Sequence, residues 1–132
     1  MPNTLYVTLD QTTNPWSVDV NQNNNANDVA QNALAQTLTW QLTGNAASGT
    51  FNSLTDPVNP GFGWTSTPAP RAGIFHTPTL SGNTLTISDL NNSSSTTGTW
   101  TYKLCINVGG NLYHTINTSI TAKSTNPTIK NT

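Results

Sequence analysis

Between Trp100 and Val108 every second residue is large and apolar. Trp100, Tyr102, Leu104, Ile106 and Val108 share one side, and Thr101, Lys103, Cys105 and Asn107 alternate with them. A period of two marks a strand with one buried face, because successive side chains leave a pleated backbone on opposite sides. Gly109-Gly110 follows, a pair able to take the positive φ of a tight hairpin turn. The return strand is expected from Asn111 to Ala122, with Leu112, His114, Ile116, Thr118 and Ile120 on its inner face. A hairpin with one apolar face must bury that face against a second layer.

The rest of the chain offers further strands for that layer. Leu5, Val7 and Leu9 alternate, as do Trp16, Val18 and Val20 after Pro15, and Leu38, Trp40 and Leu42. Leu85 and Ile87 face inward in a strand over Thr84 to Leu90, and shorter strands are expected at Thr50 to Leu54 and Gly73 to His76. Only Val29 to Ala35 suggests one or two helical turns, with Asp28 as their cap. Composition points the same way. Charged residues make up 7% of the 132, and Glu is absent, so Asn, Thr, Ser and Gln must build the surface. Thr is stiff at χ1 and suits a pleat, whereas Asn and Ser favour turns. The expectation is one all-β domain over residues 1–132, a two-sheet antiparallel β-sandwich, immunoglobulin-like in architecture, with seven or eight strands.

Three segments fall outside that frame. Residues 21–28 are Asn-rich and read as a flexible loop. Residues 56–78 carry Pro57, Pro60, Pro68, Pro70 and Pro78, which lack ladder donors, and read as a long connection without central strands. Residues 123–132 form a polar tail expected to fray.

Net charge is −1, and Arg71, Lys103, Lys123 and Lys130 are the only Lys and Arg residues, so no basic footprint for nucleic acid exists. No apolar run approaches the length of a membrane-spanning helix, and no partner membrane is expected. The start of the chain lacks a secretory signal, which places the protein in the cytoplasm by expectation, with leaderless export as the alternative suggested by its surface composition. Cys105, the only cysteine, falls within a strand and reads as a buried thiol rather than a nucleophile.

Reactive constellations are sparse. His76 and His114 stand on separate segments without zinc-ligand spacing, and neither a P-loop nor a G-x-S-x-G elbow is present. Asp19 and Asp28 flank the Asn-rich loop and are the candidates for calcium. No cofactor or metal is expected. A hydrolase would have to assemble Asp56, Asp89, His76 and His114 from dispersed positions. Asn91, Asn92 and Asn117 open N-x-[ST] sequons, relevant only to a eukaryotic secretory route. Trp40 and Trp100 read as core. Phe62 and Trp64 differ, standing in Gly61-Phe62-Gly63-Trp64 within the proline-rich connection. There they would either plug one end of the sandwich or stack against a sugar ring.

Leu38-Thr-Trp40-Gln-Leu42, the Asp56-Pro57 step, Thr84-Leu85-Thr86-Ile87-Ser88-Asp89 and the closing Ser124-Thr-Asn126-Pro127-Thr-Ile129-Lys-Asn131 together resemble the DP-EP family of small bacterial proteins. The chain departs from that family in carrying Asn126-Pro127 where an acid-proline step would be expected, and in having no Glu-Pro. The resemblance implies a compact β-sandwich without an assigned activity, and it carries over no site residue. The expected function is therefore a non-enzymatic β-sandwich of structural or protein-interaction type, forming a homo-oligomer. The alternative is a module binding neutral carbohydrate through the loop aromatics Phe62 and Trp64, and a second alternative is the dispersed Asp/His hydrolase.

Overall fold

A computed structural model describes residues 3–115 and 127–132. Among these, eleven strands form two packed sheets, and no helix is longer than a single 3-10 turn. The strands are β1 (Asn3–Asp10), β2 (Ser17–Val20), β3 (Asp28–Val29), β4 (Gln36–Leu42), β5 (Thr50–Phe51), β6 (Phe62–Trp64), β7 (Thr79–Ser81), β8 (Thr84–Asp89), β9 (Gly98–Val108), β10 (Asn111–His114) and β11 (Thr128–Asn131). The first sheet runs β2-β1-β4-β8-β7. The second is built on β9, with β11 and β10 along one edge and β6 and β5 along the other, and β3 beyond β11. No helix among the described residues is long and apolar enough to cross a membrane.

The all-β sandwich expected from the alternation is present, with more and shorter strands than expected. Its sheets are mixed rather than antiparallel throughout. β1 pairs parallel with β4, Leu5 opposite Trp40, and β3 pairs parallel with β11. Parallel neighbours need a crossover connection. Between β1 and β4 that connection is the hairpin strand β2 followed by residues 21–35, which leave the first sheet, add β3 to the second and return. Val29 is thus a strand residue and not the start of a helical turn. β11 replaces the expected fraying with a strand held between β9 and β3.

Alternation selects the core. Leu5, Val7, Leu9, Leu38, Trp40, Leu42, Leu85 and Ile87 come from the first sheet, and Tyr102, Leu104, Ile106 and Ile129 from the second, all buried. At the centre the Trp40 Nε1–H donates to the Tyr102 hydroxyl at 2.9 Å, and the two rings meet edge to face with centroids 5.3 Å apart. Burial drives the Tyr102 hydroxyl well above the ordinary phenol range, so it stays protonated.

One expectation about faces is corrected. Gly109 and Gly110, at φ 61° and 84°, place Asn111 opposite Val108 and hence Tyr113 opposite Ile106 and His114 opposite Cys105. Opposed residues share a face, so Tyr113 and Thr115 turn inward while Leu112 and His114 are exposed. The turn register overrides the apolar pattern by one residue. The return strand beyond Thr115, with the expected inner positions Ile116, Thr118 and Ile120, lies outside the described residues. The proline-rich connection carries no central strand but does carry an edge strand: Phe62–Trp64 forms β6, paired with Leu104, Lys103 and Tyr102 of β9 alone. Its prolines flank that strand and so cost no ladder donor there. The brief strand expected at residues 73–76 is reduced to bridges from Phe75 to Ala72 and Asp89.

Replacing Tyr102 by Phe would strand the buried Trp40 N–H. Urea unfolding should show a loss of about 1–3 kcal/mol without a change of fold, the range for an orphaned buried donor.

Candidate functional site

The Asn-rich crossover builds a groove of about 610 Å³. One wall is β1, where Tyr6 occupies an outward position and leaves 52% of its surface exposed. The opposite wall is the 3-10 turn Asn23–Asn25, and Ala26, Asp28, Ala30 and Gln36 complete the lining with Asn3, Thr4 and Asn21. A second hollow of about 420 Å³, lined by Asp19, Val20, Asn21, Gln22 and Asn23, adjoins it.

Local chemistry explains the loop's shape. Asn24 and Asn25 take left-handed φ values of 59° and 57°. Asn tolerates that region better than other non-glycine residues, so consecutive Asn residues permit a sharp reversal that β-branched residues would resist. The Asn21 N–H donates to the Tyr6 carbonyl, and the Asn21 side-chain oxygen accepts from the Asn23 N–H. Asn3 at the head of β1 donates from Nδ2 to the carbonyls of Ala26 (3.2 Å) and Asp28 (2.6 Å). From behind, Thr128 of β11 donates its N–H to Gln22 Oε1, and Asn27 Nδ2 donates to the Thr128 carbonyl and hydroxyl. The segment read as a flexible loop is therefore tied at both ends to two different sheets.

What remains free is the face toward the groove. Among the described hydrogen bonds none involves the Asn23, Asn24 or Asn25 side chain, and all three residues are exposed. Among the described residues no Lys, Arg or His lines the groove, and Asp28 supplies the only carboxylate. Such a surface presents amide donors and acceptors and one aromatic face, with little net charge.

The residues singled out from the sequence lie elsewhere. Phe62 is 7% exposed, stacked on Tyr102 at 5.1 Å and edge-on to Trp40 at 5.4 Å, so its ring is core. Trp64 is half-buried, 5.0 Å from Phe62 and 4.8 Å from Phe75, which in turn meets the half-buried Trp100 at 5.4 Å. These rings form a chain from the core toward the surface. Trp16 is 42% exposed and stacks on Tyr113 where β2 and β10 adjoin.

The ionisable residues do not assemble a reactive group. Among the described residues no three His, Cys, Asp or Glu side chains stand close enough to hold a metal, and Asp19 and Asp28 open onto separate hollows. His76 and His114 are exposed on separate elements. Asp56 Oδ1 accepts from the N–H groups of Asn59 and Val58, which hold its carboxyl below the ordinary range, as in a turn former. Asp89 is fully buried, and Cys105 is buried on the face of β9 turned away from the other sheet. Burial, with the negative charge of Asp56 as a second cause, pushes the Cys105 thiol up, disfavouring the nucleophilic thiolate. Asn91, the first of the sequon residues, is buried with its side-chain amide donating to the Val29 carbonyl.

No protein-family model matches the chain, and no curated protein matches it, so the resemblance to DP-EP proteins stands on the quoted motifs alone.

Sequence reasoning passed over the groove because its parts are ordinary taken singly. The signal was there: Tyr6 is the one aromatic at an outward position of the first strand, followed within one hairpin by the densest run of Asn in the chain. Asn3→Ala removes both ties to the loop. It should lower stability by about 1–2 kcal/mol and speed amide hydrogen exchange over residues 23–28 selectively. Thiol labelling of Cys105 in the native protein should remain slow up to about pH 8 and become rapid in denaturant.

Proposed function

We propose that this protein is a non-catalytic binding module for a neutral, polyhydroxylated ligand, a carbohydrate, and that the Asn-lined groove beside Tyr6 is its site. The observation that carries the reading is the pairing of one exposed aromatic ring with unengaged amide side chains in a groove whose described lining holds no cation. Sugar hydroxyls need both donors and acceptors, which an amide supplies together. The apolar face of a sugar ring stacks on an aromatic ring, whose π-face attracts polarised C–H groups. Phosphate- or sulfate-bearing ligands would call for Arg or Lys, which are absent from the described lining. The platform is thus Tyr6, with Asn23, Asn24 and Asn25 as hydrogen-bonding partners, rather than Phe62 and Trp64.

A second reading, self-association, is supported by the exposed Trp16 stacked on Tyr113 at the junction of the edge strands β2 and β10, since edge strands and exposed aromatics favour pairing. Sedimentation at high concentration should show dimers that Trp16→Ser abolishes if this holds.

The carbohydrate reading is tested on an array of neutral oligosaccharides, followed by calorimetric titration of the responders. Tyr6→Ala should weaken binding by about tenfold or more, roughly 1.4 kcal/mol, with the thermal midpoint unchanged because the ring is exposed. Absence of any response across the array, or an affinity indifferent to Tyr6, would overturn it.

A further inference from the structure

Beneath the groove lies a buried polar cluster that the binding site does not use. Asp89 ends β8 on its inner face, continuing the alternation of Leu85 and Ile87, and is 0% exposed. Asn131, 3% exposed, reaches it from β11 and donates from Nδ2 to Asp89 Oδ1 at 2.9 Å and to the Thr96 carbonyl at 3.0 Å. Both Nδ2 protons are thereby used, which fixes the orientation of the amide. The two oxygens left over, Asp89 Oδ2 and Asn131 Oδ1, are both buried and have no hydrogen-bond partner. Two orphaned acceptors on residues already joined by one hydrogen bond are costly separately. A single proton on Asp89 Oδ2, donated to Asn131 Oδ1, satisfies both.

We propose that Asp89 and Asn131 form a closed acid–amide pair that latches β11 while Asp89 is protonated, and that deprotonation releases β11 and with it the back of the groove. The link from latch to groove is a chain of bonds. β11 holds Gln22 through the Thr128 N–H, Asn27 through the Thr128 carbonyl and hydroxyl and the Lys130 N–H, and Val29 through the Thr132 N–H. Asn91, which accepts from Thr96 on its side-chain oxygen, binds the carbonyls of Val29 and Thr132 from the same cluster. Loss of the latch thus reaches residues 21–29 through β11, apart from the ladder pairing of Asp89 with the groove residue Gln36.

The electrostatics support this. Burial raises the Asp89 carboxyl to about 6, against the lowering effect of the Asn131 bond, and no ionic partner contributes. The ionisable side chains on the surrounding elements are Arg71, His76, Lys130 and Asp28; the first three are exposed and Asp28 is half-buried. β4 contributes the neutral Gln36 opposite Asp89. The folded carboxyl lies above its value in the unfolded chain. Its stabilisation is therefore complete below the unfolded value and is lost as the pH rises through about 6.

The inference rests on the groove reading only for its consequence in binding, and its test needs no ligand. Asp89→Asn places an N–H on the second position at every pH and should keep the pair closed. Between about pH 4.5 and pH 8 the thermal midpoint of the wild type should fall by about 5 °C or more relative to Asp89→Asn. Amide protection factors for residues 21–29 and 128–131 should fall with it in the wild type and hold steady in the variant. Carbon-13 titration of the wild type, which serves even if the variant does not fold, should show the Asp89 carboxyl and the Asn131 side-chain amide titrating together well above the ordinary carboxylate range. An Asp89 that titrates in the ordinary range, or protection factors equally flat in both proteins, would overturn the latch. Protection that follows pH as expected in a protein with no response to any oligosaccharide would sink the groove reading and leave the latch standing.

Discussion

The Trp40 indole and the Tyr102 hydroxyl meet at 2.9 Å between the two sheets, and the packing of the sandwich is arranged around that contact. Trp40 lies at the middle of β4, between β1 and β8, and Tyr102 near the middle of β9, between β6 and the β10–β11 edge. A polar atom on each ring would be a liability in this interior, and each ring relieves the other. The same rings carry much of the core's aromatic contact, since Phe62 stacks on Tyr102 and meets Trp40 edge-on. Geometry of that kind sets the sheets in one relative position, which aliphatic side chains alone would define less sharply.

Around this centre the molecule substitutes amides for charges. Few ionisable side chains are available, so loops are secured by Asn and Gln bonding to backbone groups. Asn45 holds both the N–H and the carbonyl of Leu9; Asn83 reaches the carbonyl of Ala47; Asn27 and Asn91 join the crossover to β11 and the chain's close. These bonds are short-range and indifferent to salt, unlike ion pairs. The same chemistry serves the proposed site, where amides not consumed by the fold face a groove of suitable size. The exception is Asp89, an acid in a place where an amide would suffice. In the proposed latch that acid makes the hold on β11 depend on protonation.

Strand after strand was legible from the alternation of apolar residues: Leu5-Val7-Leu9, Leu38-Trp40-Leu42, Leu85-Ile87 and Tyr102-Leu104-Ile106 all point inward as their spacing requires. The same rule extended one step further would have placed Asp89 after Ile87 and Asn131 after Ile129 on the inner face. Polar residue type masked them, because a buried Asp or Asn is understandable only once its partner is known. The candidate site was less legible still. Tyr6, Asn3 and Asn23 to Asn25 are brought together by the parallel pairing of β1 with β4, which forces residues 21–35 to cross over the sheet end.

Class and inner faces follow from the chain alone, because a two-residue period and a surface without Glu leave pleated sheets as the way to bury one face. Residue order along a strand does not say which strand lies beside it. The register at Gly109-Gly110, which turned Leu112 and His114 outward, the parallel neighbours of β1 and β3, the pairing of β6 inside a proline-rich stretch, and the joining of Asp89 to Asn131 were decided by tertiary structure. Each depends on hydrogen bonds between backbone and amide groups far apart in the chain. Those groups are the same in nearly every residue, so no local pattern identifies their partners before the sheets assemble.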